Sequence, residues 1–393
     1  MTGMPPAAVI VGGVRTAIGR FGGGLKDVEA HELGAACIRE VLATTGVEPG
    51  DVDEVVMGQV GQVGPDAYNA RRCMLAAGLP PTTTAMNVNR LCSSGLQAIV
   101  TASQQVLLGD AGIVVAGGNE SMSRLPFLDY QARDGWRLGT HQLIDGTLSL
   151  LTDPWGHYLM GATAEKVAER YAVDRAAQDR FAARSQELAQ TAIASGVLDD
   201  EIVPVSVPRS DEAFAQDEHP RAGVTLESLG KLRPAFQEGG SVTAGNSYGI
   251  NDGAAALLVM SEDEAQRRGL RPRLRFRSWA VSGIEPEVMG YAPALAIPKA
   301  IARAGLTLDD VDLIELNEAF AAQAVPIIRD AGLDEAKVNV CGGAIAFGHP
   351  VGATGAILTV RLMHALERLG GRVGVVTMCI GGGQGMAAVF ERP

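Results

Sequence analysis

Apolar positions in this chain recur with a spacing that changes from four to one and back again. Leu33, Cys37 and Val41 fall four apart, as one face of a helix does; then come Gly46, a short polar stretch and the unbroken run Val55-Val56-Met57. That order predicts a helix, a glycine stop, a short loop and a buried strand. The order returns late in the chain, with Ala296, Ala300 and Ala304 leading through Gly305 to Leu313-Ile314. The joints share their first and last letters: residues 46–53 read G-V-E-P-G-D-V-D, and residues 305–312 read G-L-T-L-D-D-V-D, both opening on Gly and closing on Asp-Val-Asp.

The echo continues downstream. Asn87-Val88-Asn89 leads through a turn to a helical pattern over 96–108 and then to Gly112-Ile113-Val114-Val115; Val338-Asn339-Val340 leads through a glycine-rich turn to a pattern over 356–369 and then to Gly374-Val375-Val376. Two copies roughly 260 positions apart predict two similar α/β halves. Between them the texture differs. Residues 121–245 hold clustered charge, Trp136, Trp155, a polar run over 209–221 and helical patterns over 162–171 and 175–195. Insertions of this length are usually lids or assembly loops. The layout expected is therefore 1–120 as a first α/β half, 121–250 as an inserted loop domain and 251–393 as a second half.

A chain of 393 residues is long for one core, and 47% hydrophobic with 20% charged residues is the balance of a globular protein. Abundant Gly and few aromatics suit helices packed closely on sheet. The net charge of −12 argues against a nucleic-acid or membrane-surface partner, yet leaves room for an anionic small molecule held by a local basic patch. The cysteines at 37, 73, 92, 341 and 379 form no C-x-x-C pair, so neither a disulfide framework nor a metal site is expected, and a reducing compartment is. Met1-Thr2-Gly3-Met4-Pro5-Pro6 lacks the basic and apolar regions of a signal peptide, and apolar runs such as 253–260 fall short of the ~20 residues that span a bilayer. The final Glu-Arg-Pro is not a peroxisomal address. The expected location is cytoplasmic.

Four short motifs carry chemistry. In Asn89-Arg90-Leu91-Cys92-Ser93-Ser94-Gly95, a strand over 85–91 meets a helix start, where the dipole and free N–H groups favour a thiolate and lower its pKa. In Gly348-His349-Pro350, inside a glycine-dense turn, the imidazole is aimed by the backbone and can serve as base to a nucleophile. Cys379-Ile380-Gly381-Gly382-Gly383 follows a strand over 373–377 and offers a second thiol beside free N–H groups suited to an oxyanion. Asn317-Glu318-Ala319-Phe320 ends a strand over 312–316, where an Asn can orient a water or carbonyl, or simply cap a turn. Neither a G-x-G-x-x-G fingerprint nor a G-x-x-x-x-G-K-[ST] phosphate loop is present.

In their order and intervals these motifs resemble the thiolase family. The resemblance takes in Val14-Arg15-Thr16, the stretch from Gly117 to Ser123, Met160-Gly161-Ala162, Lys231 to Phe236 and Thr243 to Asn246, and so runs from about residue 8 to 391. It implies duplicated α/β halves stacked as a layered α/β/α/β/α core, and a reversible carbon–carbon bond reaction on acyl-CoA. Cys92 would form the acyl-enzyme, with His349 taking its proton. Cys379 would move the α-proton. Asn317 with a water and His349 would hold the enolate oxygen, and the N–H groups of Cys92 and Gly381 a second oxyanion. Arg221, Ser228, Ala244, Ser247, Tyr248, Leu159, Met160 and Phe320 would contact CoA or substrate, with Lys231 and Arg233 either joining them or lying on a solvated face. Acyl-CoA and CoA are then the partners, CoA is a substrate rather than a cofactor, and a homo-oligomer, dimer or tetramer, is implied. The rivals are a ketosynthase-like or hydroxymethylglutaryl-CoA-synthase-like condensing enzyme, and a non-catalytic acyl-CoA or lipid carrier on the same fold.

Two positions depart from the family pattern. Leu159 stands where many members have His, implying a more apolar wall and substrates longer than four carbons. Tyr248 stands near where a small Ser lines the pantetheine path; it either narrows that path or turns its ring away and leaves Ser247 to bond.

Overall fold

The computed structural model describes residues 7–393; Met1–Pro6, read above for targeting, lie outside the described residues. Nine strands build the core: β1 (Ala8–Thr16), β2 (Glu54–Gly58), β3 (Thr84–Val88), β4 (Ile113–Ser121), β5 (Asn251–Ser261), β6 (Leu274–Gly283), β7 (Leu313–Leu316), β8 (Val373–Ile380) and β9 (Gln384–Glu391). Their order across the sheet is β3-β2-β4-β5-β1-β6-β9-β8-β7.

The duplication predicted from the repeat is present in the hydrogen bonding. In the first half β1–β5 and β5–β4 are antiparallel and β4–β2 and β2–β3 parallel. In the second, β6–β9 and β9–β8 are antiparallel and β8–β7 parallel, and Val338 bridges Ile314 in place of a fifth strand. Even the irregularities match, with register slips between Ile10 and Gly12 in β1 and between Phe276 and Ser278 in β6. The two sheets join edge to edge through Val9↔Arg275 and Ile10↔Leu274, so they form one continuous surface. The strand β5 lies between β1 and β4, inside the first half's sheet. The junction between halves therefore follows Ser261, later than the 250/251 boundary that composition suggests.

Two helices fill the space between the sheets. Ser94–Leu108 and Thr354–Leu369 are buried on almost every side until their last turns, with Leu96, Ile99, Val360 and Met363 fully buried, which is the pattern of helices packed between layers. Their N-terminal ends touch backbone to backbone: a Cβ on Gly355 would lie 2.3 Å from the Leu96 nitrogen, and one on Gly95 would lie 2.8 Å from that of Ala356. This close approach, which needs glycine on both sides, brings the Cys92 turn and the His349 turn together. Ala30–Thr45 covers the outer face of the first sheet, and Pro293–Arg303 with Ala321–Asp330 covers that of the second, which completes the α/β/α/β/α layering.

The inserted stretch contributes helices Met160–Arg170, Arg175–Ala194 and Leu226–Gly230. It is tied to β1 by Arg15, fully buried, whose guanidinium meets Glu201 at 2.7 Å and Asp217 at 2.8 and 2.9 Å. Burial works against that charge, but the two carboxylates outweigh it and the arginine stays ionised. Removing one partner from such a group typically costs about 3–5 kcal/mol. Among the described residues no helix is long and apolar enough to cross a membrane.

Candidate active site

Cys92 sits just beyond β3, which ends at Val88 rather than at 91 because Leu91 turns to a φ of 47°. That left-handed residue is held by its neighbours. The Asn89 side chain accepts from the Leu91 N–H at 3.0 Å; the Ser94 hydroxyl accepts from the Arg90 N–H at 2.9 Å and donates to the Leu91 carbonyl at 2.6 Å. The helix begins at Ser94, two residues before the start at 96 that the sequence predicts. The pKa expectation is reversed, however. Burial pushes the Cys92 thiol up to about 11, against the N–H groups of Gly381 and of Cys92 itself, which favour the thiolate. The walls around it are Val60, Leu91, Leu151 and Met160. Loss of water outweighs the helix end, and the resting thiol is neutral.

His349 is aimed from behind. Gly348 has a φ of 98°, and a Cβ there would strike the Asn251 side chain at 2.1 Å. That same side chain accepts the His349 N–H at 3.0 Å and donates to the Gly19 carbonyl at 2.9 Å, fixing the turn. On the ring, Nδ1 lies 2.6 Å from the Thr354 hydroxyl, which donates to the Pro350 carbonyl at 3.0 Å. A hydroxyl so engaged accepts from Nδ1–H, which leaves Nε2 unprotonated, its lone pair accepting weakly from Asn317 Nδ2 and able to take a proton. Burial lowers the imidazole to about 3, so it is neutral at rest. Asn317 lies beside it, Nδ2 3.4 Å from Nε2, and its buried Oδ1 has no protein partner.

Cys379 lies within β8, not after it. The strand runs to Ile380 because its pairing with β9 continues through Cys379↔Gly385 and Ile380↔Gln384. The glycines then form the hairpin, with φ of 80° at Gly382 and 88° at Gly383. Burial and the neighbouring Cys92 push the Cys379 thiol up to about 12; a bond from Gln323 Nε2 at 3.1 Å and the residue's own N–H act the other way. Cys92, His349, Cys379 and Gly381 all line one small cavity of about 30 Å³, closed by Leu150, Leu151, Met160, Tyr248, Met289, Phe320 and Val351.

A wall of Leu151, Met160, Tyr248 and Phe320 separates this cavity from an outer pocket of about 340 Å³, which Leu159, Phe236, Ala244, Ser247, His219 and Arg221 also line. Beyond it a third cavity of about 190 Å³ shares His219, Arg221 and Ala244 and reaches Ser228. The three adjoin in series through these shared residues, with the two cysteines at the inner end.

The thiolase N-terminal domain family matches residues 8–263 and the thiolase C-terminal domain family residues 270–392. The beta-ketothiolase BktB of Cupriavidus necator is 50% identical over 99% of this chain and 100% of its own. The Bacillus anthracis acetyl-CoA acetyltransferase superposes with a TM-score of 0.97 at 45% identity, covering 99% of each chain. The chain belongs to the thiolase family. It is an acyltransferase. Human mitochondrial 3-ketoacyl-CoA thiolase in complex with CoA also matches, with a TM-score of 0.95 at 40% identity, covering 99% of this chain and 98% of that one. Neither rival reading is favoured: both cysteines and the histidine of the thiolase motifs meet in one cavity.

Several expectations change once this thiolase is seen in three dimensions. Leu159 lines only the outer pocket, so it is not a wall of the inner cavity; the apolar lining there comes from Leu150, Leu151, Met289 and Val351. Tyr248 does not turn away. Its ring is packed edge-on to Phe320 at 5.3 Å and to His349 at 5.1 Å, which narrows the path. The Ser247 hydroxyl donates to the Thr243 carbonyl at 2.7 Å, and that of Ser228 is used in the capping box of its own helix. Lys231 pairs with Glu227 on the surface, and Arg233 is exposed, which is the solvated-face reading for both. His219, lowered to about 4 by burial and by Arg221 and Arg20, is neutral. Arg221 is thus the lysine-or-arginine charge on the path.

Sequence reasoning missed Thr354 and Gln323. Thr354 stands five residues after His349, in a turn whose hydrogen bonding no periodicity encodes. Gln323 had a signal: it is a lone amide on the apolar run Ala321-Ala322-Gln323-Ala324.

Proposed function

We propose that this thiolase carries its acyl group on Cys92, in a two-stage cleavage of short 3-ketoacyl-CoA by CoA that also runs in reverse. The meeting of Cys92, His349 and Cys379 at one apolar cavity supports the reading. His349 Nε2 takes the Cys92 proton as the sulfur attacks the 3-keto carbon. The bond to the α-carbon breaks, and its electron pair becomes the enolate of acetyl-CoA, which takes a proton from Cys379. In the second stage the thiol of CoA gives its proton to the Cys379 thiolate and attacks acyl-Cys92; the departing Cys92 sulfur recovers its proton from His349.

Both thiols rest neutral, so attack by Cys92 is coupled to transfer of its proton to His349. Once protonated, His349 Nε2–H faces the enolate oxygen, with Asn317 beside it to hold a water. The N–H groups of Cys92 and Gly381, which favour negative charge at the Cys92 sulfur, serve the oxyanion of the acyl-enzyme stage. Losing one such donor typically costs about 2.7–4 kcal/mol of barrier.

Arg221 meets the anionic end of CoA at the outer pockets; Ser228 and Ala244 line that end, and Ser247, Leu159 and Phe236 the middle. The inserted residues 121–250 act as the CoA-binding cover. Leu150, Leu151 and Met289 admit acyl groups somewhat longer than acetyl, Met being readily adaptable. Five free cysteines suit a cytoplasmic enzyme. Exposed Met86 on the edge strand β3 and exposed Phe127, Tyr130 and Trp136 support a homo-oligomer, which light scattering measures directly. Steady-state kinetics test the reaction scheme: varying CoA and acetoacetyl-CoA should give the parallel double-reciprocal lines of a ping-pong enzyme, and intersecting lines would count against it.

A further inference from the structure

One buried polar group beside the cysteines has no part in the steps above. Gln323, on the helix Ala321–Asp330, is fully buried, and its Nε2 donates to Cys379 Sγ at 3.1 Å. Its position is clamped, because Gly290 leaves no room: a Cβ there would lie 2.4 Å from Gln323 Oε1 and 2.9 Å from its Cβ. The buried Oε1 has no protein partner. An alanine, as at the neighbouring Ala321, Ala322 and Ala324, would avoid that orphaned carbonyl. The amide is therefore retained for what its N–H₂ end does.

We infer that Gln323 is a positioning residue that sets the proton affinity of Cys379 for α-proton transfer, by donating a hydrogen bond that favours the thiolate over the thiol. The inference rests on the reading of Cys379 as the α-proton base. Apart from the residue's own N–H, Gln323 is the donor that opposes the burial of this thiol. Hydrogen bonds to a charged acceptor are roughly twice as strong as neutral ones, so the bond strengthens when Cys379 ionises. Gln323 does not line the cavity that holds Cys92, so its effect is confined to one of the two cysteines.

The test separates the two thiols. Exchange of the acetyl-CoA α-protons with deuterium is followed against pH, alongside alkylation of Cys92 by iodoacetamide read on the Cys92 peptide, for the wild type, Gln323→Met, Gln323→Glu and Cys379→Ser. Gln323→Met keeps the length and removes the donor. Its exchange profile should move up by about one pH unit, about tenfold slower at pH 7, with Cys92 alkylation within about twofold of wild type. Gln323→Glu, which places a carboxylate against the thiolate, should slow exchange further, again sparing Cys92 alkylation. An unmoved profile in Gln323→Met, or exchange and Cys92 alkylation falling together in both variants, overturns the inference. If Cys379→Ser still exchanges, the base reading itself fails and takes this inference with it. If Cys379→Ser is silent and Gln323→Met is unmoved, only the role of Gln323 is lost.

Discussion

The Thr354 hydroxyl lies 2.6 Å from His349 Nδ1 and donates at 3.0 Å to the Pro350 carbonyl, so one rotor sets the tautomer of the ring that faces both cysteines. Thr354→Val keeps the shape and removes the acceptor for Nδ1–H. The imidazole then loses its preference for a free Nε2 lone pair. We expect kcat/KM for thiolysis to fall by about tenfold to a hundredfold, part of the ~10²–10⁴ that a positioned acid–base group supplies. Thr354→Ser should recover activity to within about threefold. Equal losses in Val and Ser variants would mean that packing, not the hydrogen bond, is what Thr354 provides.

The two opposing influences on Cys92 give different pH profiles for alkylation. A helix start alone would lower the thiol, and the iodoacetamide rate would level off near neutrality. Burial instead raises it to about 11. The thiolate is the reactive form, so below that pKa its fraction rises about tenfold per pH unit. Inactivation by iodoacetamide should therefore keep accelerating from pH 7 to 9, with acyl-CoA protecting. A plateau below pH 8 would restore the helix-start reading.

Tyr248 should govern chain length more than Leu159 does, because its ring forms part of the wall between inner and outer pockets while Leu159 lines only the outer one. Tyr248→Ser opens the wall. Each methylene newly buried is worth about 0.8 kcal/mol, or roughly fourfold. The ratio of kcat/KM for a six-carbon over a four-carbon 3-ketoacyl-CoA should rise at least that much. Tyr248→Phe and Leu159→His should leave the ratio within about twofold. A shift as large in Tyr248→Phe as in Tyr248→Ser would assign the effect to the hydroxyl.

Much of this architecture can be read from the chain itself. The repeat at 46–53 and 305–312 predicts two halves, because burying the same kind of strand under the same kind of helix needs the same spacing of apolar and glycine positions. The functional turns were legible too, since Gly348 and Gly95 occupy places where only glycine fits. What periodicity cannot carry is contact between distant segments. The placement of β5 in the first sheet depends on pairing across more than a hundred residues, and the inward turn of Tyr248 depends on Phe320 and His349, which are also distant in sequence. The Cys92 pKa failed for a related reason. A helix start is local and visible, whereas the apolar walls that outweigh it come from Val60, Leu151 and Met160, far off in sequence.

The central claim is that Cys92, and not Cys379, carries the acyl group. Both thiols line the same cavity, so proximity does not choose between them; the N–H groups of Gly381 and Cys92, which favour negative charge at the Cys92 sulfur, do, because such groups suit the oxyanion of an acyl transfer. Rapid quenching after mixing with acetoacetyl-CoA, followed by peptide mass spectrometry, measures this directly. The account predicts an acetyl group on the peptide containing Cys92, present in Cys379→Ser and absent in Cys92→Ser. An acetyl group found on Cys379 alone in the wild type would contradict it.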